Sequence, residues 1–494
     1  MSKKILSYAF LAFMCFFESP SYAAAKEKLK MDQHSEKFTP LYLYQNMEEQ
    51  ENVPLVVEGT IPDWVEGDFV RNGPALVKSP QGSVTSWFDG LAKLHTFKIR
   101  KGTVNYTCKF LCSEAYRKFK ETCTFDFAGF AQKATSSSFS LIDFLFGLKN
   151  EEITNANVTL AEINSKRVAF TEVPLPVEFD KNLNTIGLFD YADDLPKNYS
   201  FESAHLLKDP DTGITWNFLI KIGLFETAYQ IYRIPPHSQE RQLVASIPVS
   251  SISYMHSFSL AGRYLVLVDY PLRAKKPRDM VDGFIQAFSW YGQDPSLIYV
   301  IDKATGCFFS TPVDPFFCFH HVNGFEKEGK IFVDLVAYPN PKIIDDINHY
   351  PFIEANTQLL RLEIDPLTRH AKVHRQPEKN LEFPRLNDHH IGKEYHYFYG
   401  IQTQDGGDGL MKHDMVNGKP LSWFEAGAYA NEPLFVPHPQ SRTEDEGVIL
   451  SVINSTQKKE SFLLVLDAKT FKELARVRAP HVIPFGFHGQ FFKE

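Results

Sequence analysis

Ile298-Tyr-Val-Ile301-Asp302-Lys-Ala-Thr-Gly306 and Phe462-Leu-Leu-Val-Leu466-Asp467-Ala-Lys-Thr470 share one grammar: a short β-branched, aromatic or aliphatic run that stops at an Asp-x-x-Thr turn. Runs of this kind favour a pleated, half-buried backbone, and the Asp and Gly that follow supply the turn. The pattern recurs outward in both directions, in Gly67-Asp-Phe-Val-Arg71 before Asn72-Gly-Pro74, in Tyr264-Leu-Val-Leu-Val-Asp269, and in Gly447-Val-Ile-Leu-Ser-Val-Ile453. Many short strands punctuated by turn residues, with no long helical periodicity between them, specify an all-β fold of antiparallel strands. The echo between the first two runs suggests propeller blades, although no strict repeat is present. A toroidal all-β chain of 494 residues can be a single unit where length alone would permit three. One β-propeller domain is therefore expected over residues 51–494, with residues 26–50 as an N-terminal extension.

The first 25 residues read as a signal peptide: Lys3 and Lys4, an apolar run from Ile5 to Phe17, then small residues up to Ala23 and Ala25, either of which suits cleavage. The 13-residue run falls short of the roughly 20 residues that span a bilayer. The expectation is an exported protein, periplasmic or secreted. Five cysteines remain beyond the signal, and none shows the paired spacing of a zinc site or a disulfide framework. Cys108 and Cys112 are close enough in sequence to bridge, with free buried thiols as the alternative. A formal charge of −8 gives no electrostatic reason to expect nucleic acid as a partner.

Four of the 17 histidines sit inside apolar or aromatic runs: Glu202-Ser-Ala-His205, Ser253-Tyr-Met-His256-Ser-Phe258, Phe317-Cys-Phe-His320-His-Val-Asn323 and Pro484-Phe-Gly-Phe-His488. A lone histidine is more often a surface or hydrogen-bonded core residue than a ligand. An unpaired imidazole is costly to bury, however, and one shared transition metal would remove that cost at all four positions. His389, His390 and His396 lie among polar turn residues and carry no such signal. Glu172, Glu382 and Glu432 also stand in apolar strand contexts. A carboxylate there can accept the second ring N–H of a metal-bound histidine and offset the metal's charge. Taken singly, each is better read as a surface residue beside a proline.

One stretch breaks the strand grammar. Phe127-Ala-Gly-Phe130 and the residues Phe139, Leu141, Ile142, Phe144, Leu145, Phe146 and Leu148 concentrate large apolar side chains near Lys133 and Lys149. Such a segment suits a membrane interface, or else a helix that caps the core. Met280 to Tyr291 is a weaker candidate of the same type.

Together these segments resemble the carotenoid cleavage oxygenase family, which includes carotenoid and apocarotenoid oxygenases, stilbene-cleaving oxygenases and the retinal pigment epithelium isomerohydrolase. The resemblance runs from Gly59-Thr-Ile-Pro-Asp-Trp64 and Arg71-Asn-Gly-Pro74, through Trp87-Phe-Asp-Gly90 with His95, to Phe487-His-Gly489, with the histidine and glutamate motifs in the family's order. It implies an all-β, seven-bladed β-propeller with one Fe(II) per chain on its axis and a loop or helix cap over a substrate tunnel. The implied ligands are His205, His256, His320 and His488, with His320 chosen over His321 by the family's His-x-x-Asn pattern. Glu172, Glu382 and Glu432 are implied as carboxylates behind the iron, paired with His256, His320 and His488 in that order. The implied reaction uses O2 to cleave a C=C bond of a carotenoid or apocarotenoid into aldehyde or ketone products. The Phe139 to Leu148 patch is implied to touch a membrane that holds the substrate. Within the family, a stilbene or lignin-fragment cleaver and a retinoid ester isomerohydrolase are the rival readings. A non-catalytic carotenoid or retinoid carrier is the rival outside it. The 43 Phe and 21 Tyr suit an apolar tunnel, although propeller packing also consumes aromatics.

Overall fold

In the computed structural model, which describes residues 38, 40–132, 154–196, 200–223, 226–274, 284–349 and 356–493, the Asp-x-x-Thr runs do what their chemistry requires. Tyr264–Asp269 and Ser296–Asp302 pair antiparallel, and the Asp302 carboxylate accepts from the backbone N–H groups of Ala304 and Thr305 to close the turn into Phe308–Val313. Asp467 closes the equivalent turn by accepting from the Thr470 N–H and hydroxyl. Each such unit is one antiparallel meander, and seven of them form a β-propeller.

Blade 1 is built on Gly67–Pro74, Ala92–Arg100 and Thr103–Phe110, and blade 2 runs from Thr159–Ile163 to Thr185–Leu188. Blade 3 runs from Ser200–Glu202 to Gln242–Pro248, blade 4 from Ser259–Ala261 to Phe308–Val313, and blade 5 from Phe317–Lys327 to His370–Lys379. Blade 6 spans Leu381–Arg385 to Leu421–Trp423 and blade 7 spans Leu434–Pro437 to Glu473–Arg478. Burial is graded across each blade. All eight residues of Gly67–Pro74 and all nine of Gly447–Ser455 are buried, whereas the outer strand His370–Lys379 is exposed or half-buried throughout. Strands covered on both faces need apolar residues at consecutive positions, which is why they read as unbroken runs in the sequence.

Both chain ends help close the ring. The C-terminal strand Gly489–Phe492 pairs with Gly67–Pro74 in blade 1, and the N-terminal strand Val57–Gly59 pairs with Glu473–Arg478 in blade 7. Part of the expected N-terminal extension is packed rather than loose: Phe38, Leu43 and Tyr44 are buried against Trp87 and Phe485. A nine-residue helix, Glu114–Thr122, interrupts the all-β pattern; the Ser113 hydroxyl caps its start, and Ala115 and Phe119 are its buried face.

Phe127 and Phe130 depart from the membrane-patch expectation. Phe127 is buried beside Trp87, and the half-buried Phe130 packs its ring on Phe88 and Tyr254. The patch residues 139–148 and the signal segment 1–25 lie outside the described residues. Among the described residues no helix is long and apolar enough to cross a membrane. All five cysteines are free, with Cys108 and Cys318 buried.

Gly73 shows how closely the tail approaches blade 1, since a Cβ there would stand 2.4 Å from the Gly486 Cα. Backbone on both sides cannot yield as a flexible side chain would. Gly73→Ala is expected to lower unfolding free energy by about 2–3 kcal/mol, the upper range for overpacking, as read from urea denaturation.

Candidate metal centre

Four inner-strand segments deliver one histidine each. His205 follows Ser200–Glu202, His256 follows Ile252–Ser253, His320 lies within Phe317–Lys327, and His488 directly precedes Gly489–Phe492. Near the axis the segments splay too far apart to share a full ladder, so backbone groups beside the histidines need other partners. Two buried serines supply them. The Ser203 hydroxyl donates to the His256 carbonyl at 2.7 Å and accepts from the His205 N–H at 3.1 Å. The Ser257 hydroxyl donates to the Phe319 carbonyl at 2.6 Å and accepts from the His321 N–H at 3.0 Å.

The four imidazoles meet at one point, with one ring nitrogen from each lying within 4.8 Å of the others. His205 Nε2 and His256 Nε2 are 2.9 Å apart. The His205 ring stands edge-on to those of His256, His320 and His488, with centroids 4.6, 5.2 and 4.5 Å away. That packing, with the Ser203 bond, orients the one histidine for which the sequence offered no carboxylate.

The other three are oriented from behind. His256 Nδ1 bonds Glu172 at 2.6 Å, His320 Nδ1 bonds Glu382 at 2.6 Å, and His488 Nδ1 bonds Glu432 at 2.8 Å. A carboxylate acceptor fixes the ring proton on Nδ1 and leaves the Nε2 lone pair facing the axis. Each carboxylate is itself held. The Tyr254 hydroxyl donates to Glu172 at 2.9 Å, and the Tyr338 hydroxyl donates to Glu382 at 2.7 Å. Glu432 accepts from the Gly489 N–H at 2.8 Å and lies 3.3 Å from Arg71 and 3.4 Å from Arg385. Burial pushes the Glu432 carboxyl up, but Arg385, His488 and Arg71 together hold it down at about 2. Glu382 is likewise held below the ordinary carboxylate range, against burial, chiefly by His320.

Burial acts on two of the rings. It lowers His488 to about 4, and burial followed by the neighbouring histidines holds His205 well below the usual imidazole range. Neutral imidazoles with inward lone pairs suit a divalent transition metal. The buried His320 Nε2 has no hydrogen-bond partner, which is the cost a shared cation would remove. His321 turns away, bonding the Ser259 hydroxyl at 2.8 Å and the Tyr270 hydroxyl at 3.1 Å.

Several contributors carry no sequence signature of their own. Arg71 and Arg385 come from different blades and meet only at Glu432. Phe383 adopts a left-handed backbone with φ 51°, and its ring lies 5.3 Å from His320 and 5.4 Å from His488. Tyr254 was in view, two positions before His256, but its bond to Glu172 crosses between blades. One side of the centre is aromatic: Phe319 lies 5.5 Å from the His256 ring and 6.1 Å from Phe88, which packs on Phe130 at 4.9 Å.

The retinal pigment epithelial membrane protein family model matches residues 44–493. The mitochondrial carotenoid-cleaving dioxygenase of Pongo abelii is 30% identical, over 88% of this chain and 91% of that protein. The human beta,beta-carotene 15,15'-dioxygenase is 28% identical, over 90% of this chain and 93% of that protein. Among solved structures, a mutant apocarotenoid oxygenase of Synechocystis superposes with a TM-score of 0.81 at 25% identity, covering 92% of this chain and 98% of that one.

The unequal support of the carboxylates is testable. Glu432→Gln leaves one buried and one half-buried guanidinium facing a neutral amide and is expected to cost about 3–5 kcal/mol in chemical denaturation. Glu382→Gln, whose partners are a phenol, an N–H and an imidazole, should cost markedly less.

Proposed function

The chain belongs to the retinal pigment epithelial membrane protein family, that of the carotenoid cleavage oxygenases, and on that premise we propose that it is a non-haem Fe(II) dioxygenase cleaving a C=C bond of a carotenoid or apocarotenoid. The observation that carries the reading is the convergence of four imidazole nitrogens, three of them backed by a carboxylate. His205, His256, His320 and His488 would hold one Fe(II) per chain, with Glu172, Glu382 and Glu432 behind three of them. The catalytic unit of this reading is residues 51–494.

Bound there, iron supplies the activation of O2, and both oxygen atoms end in the two carbonyl products while the C=C bond breaks. The side chains do the rest. Glu172, Glu382 and Glu432 keep a proton on each outer ring nitrogen, so the inner nitrogens stay free as donors. Phe88, Phe130 and Phe319 offer an apolar wall along which a rigid polyene can lie with one double bond held near the centre. Their rings exclude water and can stabilise cationic character developing in the polyene.

The reading extends to the cell. The carotenoid-cleaving dioxygenase of Pongo abelii is mitochondrial by name. For this chain, Lys3 to Ala25 support export instead, to a periplasm or the outside. The apolar residues from Phe139 to Leu148 support peripheral contact with a membrane from which a carotenoid can be drawn.

Incubation with β-carotene, an apocarotenal and a hydroxystilbene under air, with products separated by chromatography and O2 consumption followed, tests the assignment. Aldehyde pairs from a carotenoid with stoichiometric O2 uptake are expected. Cleavage of the stilbene alone moves the substrate class, and products without O2 uptake sink the dioxygenase. His256→Ala should lose bound iron in metal analysis while its circular dichroism stays β. Glu382→Gln should weaken Fe(II) affinity by about 10- to 100-fold.

A further inference from the structure

Away from the axis, a second set of donor side chains gathers where the two ends of the chain meet blade 1. His95 and Cys108 stand directly opposite each other on paired strands, and His481 reaches them from the segment between blade 7 and the closing strand. One nitrogen from each histidine and the Cys108 sulfur lie within 4.8 Å of one another. The Tyr106 hydroxyl sits among them, 2.7 Å from His95 Nδ1 and 3.2 Å from His481 Nε2, and His481 Nε2 is 3.9 Å from the Cys108 sulfur. All this is buried: His95 is 4% exposed, Cys108 and Tyr106 are fully covered, and the His481 side chain is 7% exposed.

We propose that His95, Cys108 and His481, with the Tyr106 oxygen as fourth donor, form a zinc site that clips the propeller shut. Two imidazoles, a sulfur and an oxygen are a donor set zinc accepts, and tetrahedral zinc bonds place neighbouring donors about 3.3–3.8 Å apart. The separations of 2.7, 3.2 and 3.9 Å bracket that range, so small side-chain rotations complete the tetrahedron. Metal binding exchanges the Cys108 S–H and the Tyr106 O–H for bonds to the metal and releases both protons to solvent.

Lys93 argues against an added cation. Its ammonium lies beside Cys108 and donates to the carbonyls of Asn46, at 3.0 Å, and of Glu48. Glu48 and Glu49 supply the offsetting negative charge; the Glu48 carboxylate lies 3.8 Å from His481 Nδ1, a buried atom with no hydrogen-bond partner. The Glu48 side chain is exposed and marks the way in from solvent. A metal here ties blade 1 to the C-terminal segment, and a link that closes a loop this long restricts the unfolded chain strongly.

The test uses the purified full chain and divalent zinc and cobalt. The axial histidines contain no sulfur, so a near-ultraviolet thiolate-to-cobalt absorption band separates this site from the axis, and its loss in Cys108→Ser separates it from the other free cysteines. A second metal equivalent per chain, the sulfur band, and a melting temperature raised by zinc and lowered by a chelator are expected. Cys108→Ser should abolish the band, and His481→Gln should weaken zinc binding by more than the about 100-fold that loss of a supporting group can cost. Both variants should keep the circular dichroism of the parent. A folded wild-type protein that binds one equivalent and shows no sulfur band overturns the proposal. A band that survives Cys108→Ser overturns it too.

Discussion

The pairing of Gly489–Phe492 with Gly67–Pro74 is the contact on which the rest of the molecule depends. His488 immediately precedes this strand, its backbone carbonyl accepts from the Asn72 N–H at 2.9 Å, and Glu432 behind it accepts from the Gly489 N–H. The hydrogen bonds that close the ring are therefore the ones that place the fourth imidazole. Arg71 belongs to the same strand pair, opposite Gly489, and brings its guanidinium to Glu432 and to the Phe487 carbonyl. Ring closure and completion of the centre are one event in structural terms. A change that loosens the tail must loosen the site.

The centre itself is a study in unequal support. The three carboxylates do the same work on their histidines, yet two are held by phenols and one by guanidiniums. Phenols can donate without adding charge, so Glu172 and Glu382 keep their negative charge largely for the ring they face. Glu432 shares its charge with two cations. His488 thus has the least electron-rich environment of the three, while His205 is oriented by ring packing and a serine. Four chemically identical side chains are made different by what stands behind them.

The sequence disclosed the parts of this architecture that are local. Strands buried on both faces appear as unbroken apolar runs, and the Asp-x-x-Thr turns carry their own hydrogen-bonding logic, so the β grammar was legible from Ile298 to Gly306 alone. The histidines and glutamates stood out because polar residues in apolar runs need partners, and the structure brings all seven together. What stayed hidden is what depends on distance along the chain. Arg71 and Arg385 are 314 positions apart by their numbers and look like ordinary strand residues. Phe383 gives no sign in its neighbours of a left-handed backbone. Phe127 and Phe130 misled in the other direction, since apolar residues near a lysine look the same whether they face a lipid or a core.

The place of His488 also sets an order of events in the life of the chain. A polypeptide emerging from the ribosome has made His205, His256 and His320 long before it has made His488, and the strand that fixes His488 comes later still. Until then the nascent protein offers three unfixed imidazoles on an open ring, a poor and unselective trap for any metal it meets. The finished four-fold donor set exists only in a molecule that has been synthesised through Phe492 and has shut its ring. Complete synthesis is in this way the condition for the full set of four donors.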